Sequence, residues 1–175
     1  MEFYKVLLSN CEKNGYKGIF RSEPIPGETT TDEYNALWGR YSSYYEDLVA
    51  PGIVSELSIE ELKLFVEASC EVTLQKYELV YFSDTPCSLY SADFYGIDVA
   101  TRGGYSMLAE GLFLEKSRLT HVINSYFLQR VNENKLFDKV EDALCLRELF
   151  FELNAMCPNF VEYEDWLILY VYRVK

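Results

Sequence analysis

Apolar residues along this chain fall into two spacings, a helical one near 3.6 and short runs that suit strands, and these divide it into elements. Phe3 to Leu8 is an apolar run bounded by Ser9-Asn10 and predicts a first strand. Tyr16 to Phe20 predicts a second strand paired with it as a hairpin, because Asn14-Gly15 is a strong turn signal. Pro24, Pro26 and Gly27 then end regular structure. Tyr34, Leu37, Trp38, Tyr41, Tyr45 and Leu48 follow at helical spacing. The capping box Thr30-x-x-Glu33 opens this helix and Pro51-Gly52 stops it. Tyr44 falls off the stripe and is expected in solvent.

A second capping box, Ser58-x-x-Glu61, opens a helix whose core face is Leu62, Phe65, Val66 and Ser69. Its opposite side carries Glu60, Glu67 and Glu71. Leu79 to Phe82 and Phe94 to Ala100 read as strands, and Leu112 to Leu114 as a third, shorter one. From Ser117, the spacing Leu119, Val122, Ile123, Tyr126, Phe127 is helical, with a strand over Ile123 to Val131 as the alternative. Asp138-x-x-Glu141 caps a further helix with its stripe at Ala143, Leu146, Leu149, Phe150 and Leu153. Trp166 to Val174 is rich in Tyr, Val and Ile and makes a final strand. The order implies an α+β fold in a single domain over residues 1–175, with helices packed on a mainly antiparallel sheet.

Composition agrees with a folded chain. Hydrophobic residues make up 49%, including 15 Tyr and 11 Phe, which excludes a disordered acidic tail. Charge adds something the pattern does not. The net charge is −12, and Ser22 to Asp98 holds 15 acidic residues against three basic ones, Arg40, Lys63 and Lys76. The rest of the chain is balanced, so the whole excess lies in one stretch. Such a field repels nucleic acid and anionic membranes and speeds association with cationic partners.

The candidate chemistry is sparse. Five cysteines without a Cys-x-x-Cys pair, and a single histidine, offer no zinc site of common spacing. Reduced thiols in a cytoplasmic protein are the expectation. Leu8-Ser9-Asn10-Cys11 is like a lipoprotein cleavage box, but only Val6 to Leu8 precede it as an apolar run and Glu2 stands where a basic residue belongs. No export signal is expected. His121 lies off the apolar stripe of its helix and is read as a surface residue. Arg102-Gly103-Gly104 could form an anion-binding nest, though a double glycine after a strand is more often a plain turn. No phosphate-binding glycine motif is present.

Arg21, then Ser42-Ser43, then Glu162-x-Glu164 resembles the Arg … Ser-Thr-Ser … Glu-x-Glu order of ADP-ribosyltransferases. The resemblance implies NAD as substrate, Arg21 on its pyrophosphate, and Glu164 with Glu162 at the ribose. Here the central Thr is missing and Ser42-Ser43 falls inside a helical stripe rather than on a strand. An exposed acidic turn before the last strand is the simpler account of Glu162 to Asp165.

The reading preferred from sequence is therefore not an enzyme and needs no cofactor or metal. It is an acidic inhibitor that neutralises a basic protein partner, such as a bacterial immunity protein against a nuclease toxin. The NAD-dependent transferase and a nucleic-acid-mimic anti-restriction protein are the alternatives. The expected partner-binding residues combine aromatic bodies with carboxylates: Tyr44, Glu46 and Asp47 in one segment, Asp84, Tyr90 and Asp93 in a second that runs on through Tyr95 to Asp98.

Overall fold

Alternation fails over Tyr77–Ser83, where all seven residues of YELVYFS are buried. A strand without alternation has both of its faces covered, and the sheet around it bears this out. The structure is a computed structural model that describes residues 1–9, 11–13, 16–18, 31–49, 57–87, 92–100, 106, 125–156 and 166–175, with the backbone alone for 11–13, 16–18, 45, 47–49 and 154. In chain order its elements are β1 (Glu2–Leu8), β2 (Cys11–Lys13), β3 (Tyr16–Gly18), α1 (Asp32–Val49), α2 (Ile59–Thr73), β4 (Tyr77–Ser83), β5 (Ala92–Ala100), α3 (Val140–Met156) and β6 (Leu167–Val174). A single helical turn over 125–128 precedes α3.

The four-stranded sheet has the order β1-β4-β6-β5, and every neighbouring pair is antiparallel. The fold is α+β. On one face Val6 and Leu79 stand opposite each other and pack with Tyr34 and Tyr41 of α1 and Leu62 and Phe65 of α2. Further along the same face, Ile97, Val99, Ile168 and Tyr170 meet Ala143, Leu146, Phe150 and Leu153 of α3. On the opposite face Phe3, Leu7, Val80, Phe82, Leu169 and Val171 form a third buried cluster. Removing a side chain such as Leu62 or Phe65 from water contributes roughly 1.5–3 kcal/mol, so the helix stripes hold the layers together.

The helices expected to open near Thr30, Ser58 and Asp138 and the strands Phe3 to Leu8, Leu79 to Phe82, Phe94 to Ala100 and Trp166 to Val174 agree with the pattern read from sequence, within two residues at the ends. Three details differ. β3 pairs with β2, Cys11 opposite Gly18 and Lys13 opposite Tyr16, in a separate two-stranded sheet, while β1 pairs with β4. A two-residue connection can join only immediate neighbours, and Phe3 to Leu8 lies too far back for that turn. α1 is capped by Thr31 rather than Thr30: its Oγ1 accepts from the Tyr34 N–H at 3.2 Å and its carbonyl from Asn35 at 2.9 Å. Thr29, Thr30 and Thr31 are chemically equal as caps, so only the tertiary position of the helix selects among them. Asp138 is drawn away from α3, since its Oδ1 accepts from Asn132 Nδ2 at 2.9 Å. Residues 125–128 are helical, which excludes the strand over Ile123 to Val131. The strand expected over Leu112 to Leu114 and the helix expected from Ser117, as far as Asn124, lie outside the described residues.

Candidate protein-binding surface

The two helices over β1 and β4 start with acids in their first turns, Asp32 and Glu33 in α1 and Glu60 and Glu61 in α2, where the helix dipole favours negative charge. Neither helix has a basic residue in its last turn. Ser58 caps α2 as expected: Ser58 Oγ accepts from the Glu61 N–H at 3.2 Å and Glu61 Oε2 accepts from the Ser58 N–H at 2.9 Å. Those hydrogen bonds from Ser58, together with Arg40, hold the Glu61 carboxyl below the usual range.

All three bases of the acidic stretch are occupied. Arg40 pairs with Glu61 at 2.5 Å, Lys76 with Glu78 at 3.3 Å, and Lys63 Nζ donates to the main-chain oxygen of Lys175 at 2.9 Å. Among the described residues no cation pairs with Asp32, Glu33, Glu46, Glu60, Glu67 or Glu71. All six are exposed. On α2 the spacing of Glu60, Glu67 and Glu71 places them on one line facing away from Leu62, Phe65 and Ser69, spread over about 16 Å of helix at 1.5 Å per residue. Leu64 lies on the same line and is 55% exposed, and Leu74 just beyond the helix is 90% exposed. Leu64 thus stands in water among acids that pair with no described cation, and Leu74 stands in water just past the end of the helix.

The residues expected to bind a partner are not gathered there. Tyr44 is half-buried, and its hydroxyl accepts from the Tyr4 N–H at 3.0 Å and donates to the Tyr4 carbonyl at 3.2 Å. Tyr44 is thus turned into the fold and not into solvent, because the flank of α1 on which it sits abuts the edge of β1. Burial pushes its phenol above the ordinary tyrosine pKa. Glu46 is exposed on α1, and the side chain of Asp47 lies outside the described residues. Asp84, after β4, pairs with the amino group of Met1. Asp93, near the start of β5, pairs with Lys175 at 2.7 Å. β6 runs between β4 and β5, so the structure does not bring Asp84 and Asp93 together. Tyr90 lies outside the described residues.

Of Tyr95 and Asp98, read with that second segment, the first is half-buried and the second buried. Tyr95 donates to Glu78 Oε2 at 2.7 Å, and Arg173 reaches Glu78 Oε1 at 3.2 Å. Burial opposes the charge on Glu78, but the Tyr95 hydroxyl, the Ser9 side chain and the cations Arg173 and Lys76 together hold its carboxyl below the usual range. Asp98 is 3% exposed and accepts from Ser106 Oγ at 2.6 Å. These carboxylates tie strands together and are no part of an outer surface.

Of the other candidates, Arg21, the Arg102 turn, His121, Glu162 and Glu164 lie outside the described residues. Ser42 and Ser43 are helical, in the middle of α1, with Ser43 Oγ donating to the Gly39 carbonyl at 3.1 Å. The described cysteines Cys70, Cys87 and Cys145 are free thiols. Among the described residues no group of His, Cys, Asp and Glu is placed to hold a metal ion, and no helix is long and apolar enough to cross a membrane. An open recess of about 810 Å³ is lined by Gln129, Arg130, Lys139, Glu141 and Asp142. Arg130 pairs with Asp142 at 3.2 Å there and lies over the Tyr126 ring.

No family model, curated protein or solved structure matches this chain. Leu64 and Leu74 were missed from sequence. Leu64 could have been found by placing it on the helical line of Glu60, Glu67 and Glu71. Leu74 gives no such signal, because its exposure follows from where α2 ends.

Proposed function

We propose that this protein binds and neutralises a basic protein through the outward stripe of α2, with the acids of α1 extending the field. One observation carries the reading: every base in the acidic stretch makes a contact within the fold, while Glu60, Glu67 and Glu71 stand exposed with no ion-pair partner among the described residues. Unpaired like charges along one line repel each other and are attractive only to something that is not yet bound. Leu64 and Leu74 supply the second ingredient of an interface, apolar groups that a partner can desolvate inside a charged rim. A toxin whose cationic cleft must be blocked fits such a surface, and an inhibitor of that kind requires no catalytic group.

The test is affinity capture with purified protein from extracts of the cells that make it. Wild type should enrich one dominant protein of basic isoelectric point. The Glu60→Lys/Glu67→Lys/Glu71→Lys variant should lose that protein, while Glu133→Lys, exposed but outside the acidic stretch, should retain it. Capture of an acidic dominant partner, or equal capture by the triple variant, would refute the proposal.

A further inference from the structure

Among the described strands β1 lies at the edge of the sheet, and an edge strand turns alternate backbone N–H and C=O groups away from its one neighbour. Left open, such a row is a template for another strand. β1 has few of the usual safeguards. Its sequence EFYKVLL contains no proline, its pairing with β4 runs through all seven residues without a bulge, and Lys5 is 1% exposed rather than set out as a guard charge. The other edge is protected differently. β5 is bulged between Phe94 and Gly96, and Ile97 exchanges backbone hydrogen bonds with Phe137 at 2.7 and 2.8 Å. The Tyr95 carbonyl is taken by Asn132 Nδ2 at 2.8 Å.

On β1 that role falls to two phenols. Val6 N–H donates to Tyr41 Oη at 3.0 Å, Tyr4 N–H donates to Tyr44 Oη at 3.0 Å, and Tyr44 Oη donates back to the Tyr4 carbonyl at 3.2 Å. The match is one of spacing. Residues three apart on a helix share a face about 5–6 Å apart, and outward groups two apart on a strand repeat at about 6.6–6.8 Å. Tyr41 and Tyr44 therefore meet successive outward amides as a neighbouring strand would.

We propose that Tyr41 and Tyr44 form a side-chain seal that takes the place of a fifth strand and prevents β1 from pairing with β1 of a second copy. The second copy is the relevant occupant because the bare edge would be identical on both molecules, apolar and extended, the conditions under which like strands pair. The proposal is independent of the acidic stripe, which lies on α2.

Tyr41→Phe/Tyr44→Phe tests it. The variant keeps both rings, including the stacking of Tyr41 on Phe65 at 4.7 Å, and removes only the hydroxyls. Wild type should sediment as a monomer, and the folded double variant should self-associate as concentration rises. Amide exchange at Tyr4 and Val6 should quicken on the order of tenfold or more, while Phe3, Lys5 and Leu7, bonded to β4, stay protected. If the double variant does not fold, Tyr44→Phe alone removes the hydrogen bonds of the two Tyr4 groups and should change sedimentation and Tyr4 exchange in the same direction. A folded variant that stays monomeric at every concentration, or a wild type that self-associates equally, overturns the proposal.

Discussion

Gly96 shows how a single residue can decide the course of a strand. It sits at φ +141°, and a Cβ there would lie 2.7 Å from Leu136 Cβ and 2.9 Å from both Asn132 Nδ2 and the Phe137 carbonyl. Two of those neighbours cannot easily yield, because Asn132 holds Tyr95 and Asp138 while the Phe137 carbonyl accepts from Ile97. Gly96→Ala should therefore destabilise by about 2–4 kcal/mol, from strain and overpacking together, read as a lower denaturation midpoint with unchanged slope. Sequence marked Phe94 to Ala100 as a strand but gave no sign of this crowding, since the crowding residues lie in 132–137. Tyr44 makes the same point. Its helical spacing says only that it is off the stripe, and whether that means water or a neighbouring backbone depends on where β1 lies. Ser58 was legible because a capping box is satisfied within four residues.

Among the elements, α2 carries the clearest conflict between stability and the proposed role. Glu71 lies near the C-terminal end of the helix, where the dipole disfavours an acid and no base compensates. Leu74 follows at φ 56°, a left-handed conformation that costs a non-glycine residue roughly 1–2 kcal/mol, with its side chain 90% in water. Glu71→Lys should stabilise the fold by about 0.3–1 kcal/mol, and Leu74→Gly by about 1 kcal/mol. Both should weaken capture of the partner, as expected where function is served at the expense of stability. Denaturant titration beside quantitative capture checks the pair. A variant that destabilises, or one that leaves capture unchanged, contradicts the role given to that end of α2. The stripe of Glu60, Glu67 and Glu71 was legible from spacing alone. That its acids form no ion pair among the described residues was not, because Lys63 and Arg40 find their partners through the tertiary fold.

For the whole molecule, sequence supplied the class and most of the elements but not the wiring. Alternating and unbroken apolar runs identify strands, whereas the order β1-β4-β6-β5 joins segments from the two ends of the chain, and no local signal selects such partners. Charge behaved likewise. The count located the excess in Ser22 to Asp98, but among the described residues the fold divides its carboxylates into buried ones, Glu78 and Asp98, exposed but ion-paired ones, Asp84 and Asp93, and unpaired outward ones on α1 and α2. The unpaired outward group is the one placed to steer a partner. The most direct test is the association rate of this protein with its captured partner across ionic strength. The account predicts a rate that falls at least about tenfold as salt shortens the screening length from about 10 Å towards 3 Å, with a much weaker salt dependence for the Glu60→Lys/Glu67→Lys/Glu71→Lys variant. An association rate indifferent to salt, or one equally sensitive in that variant, would contradict it.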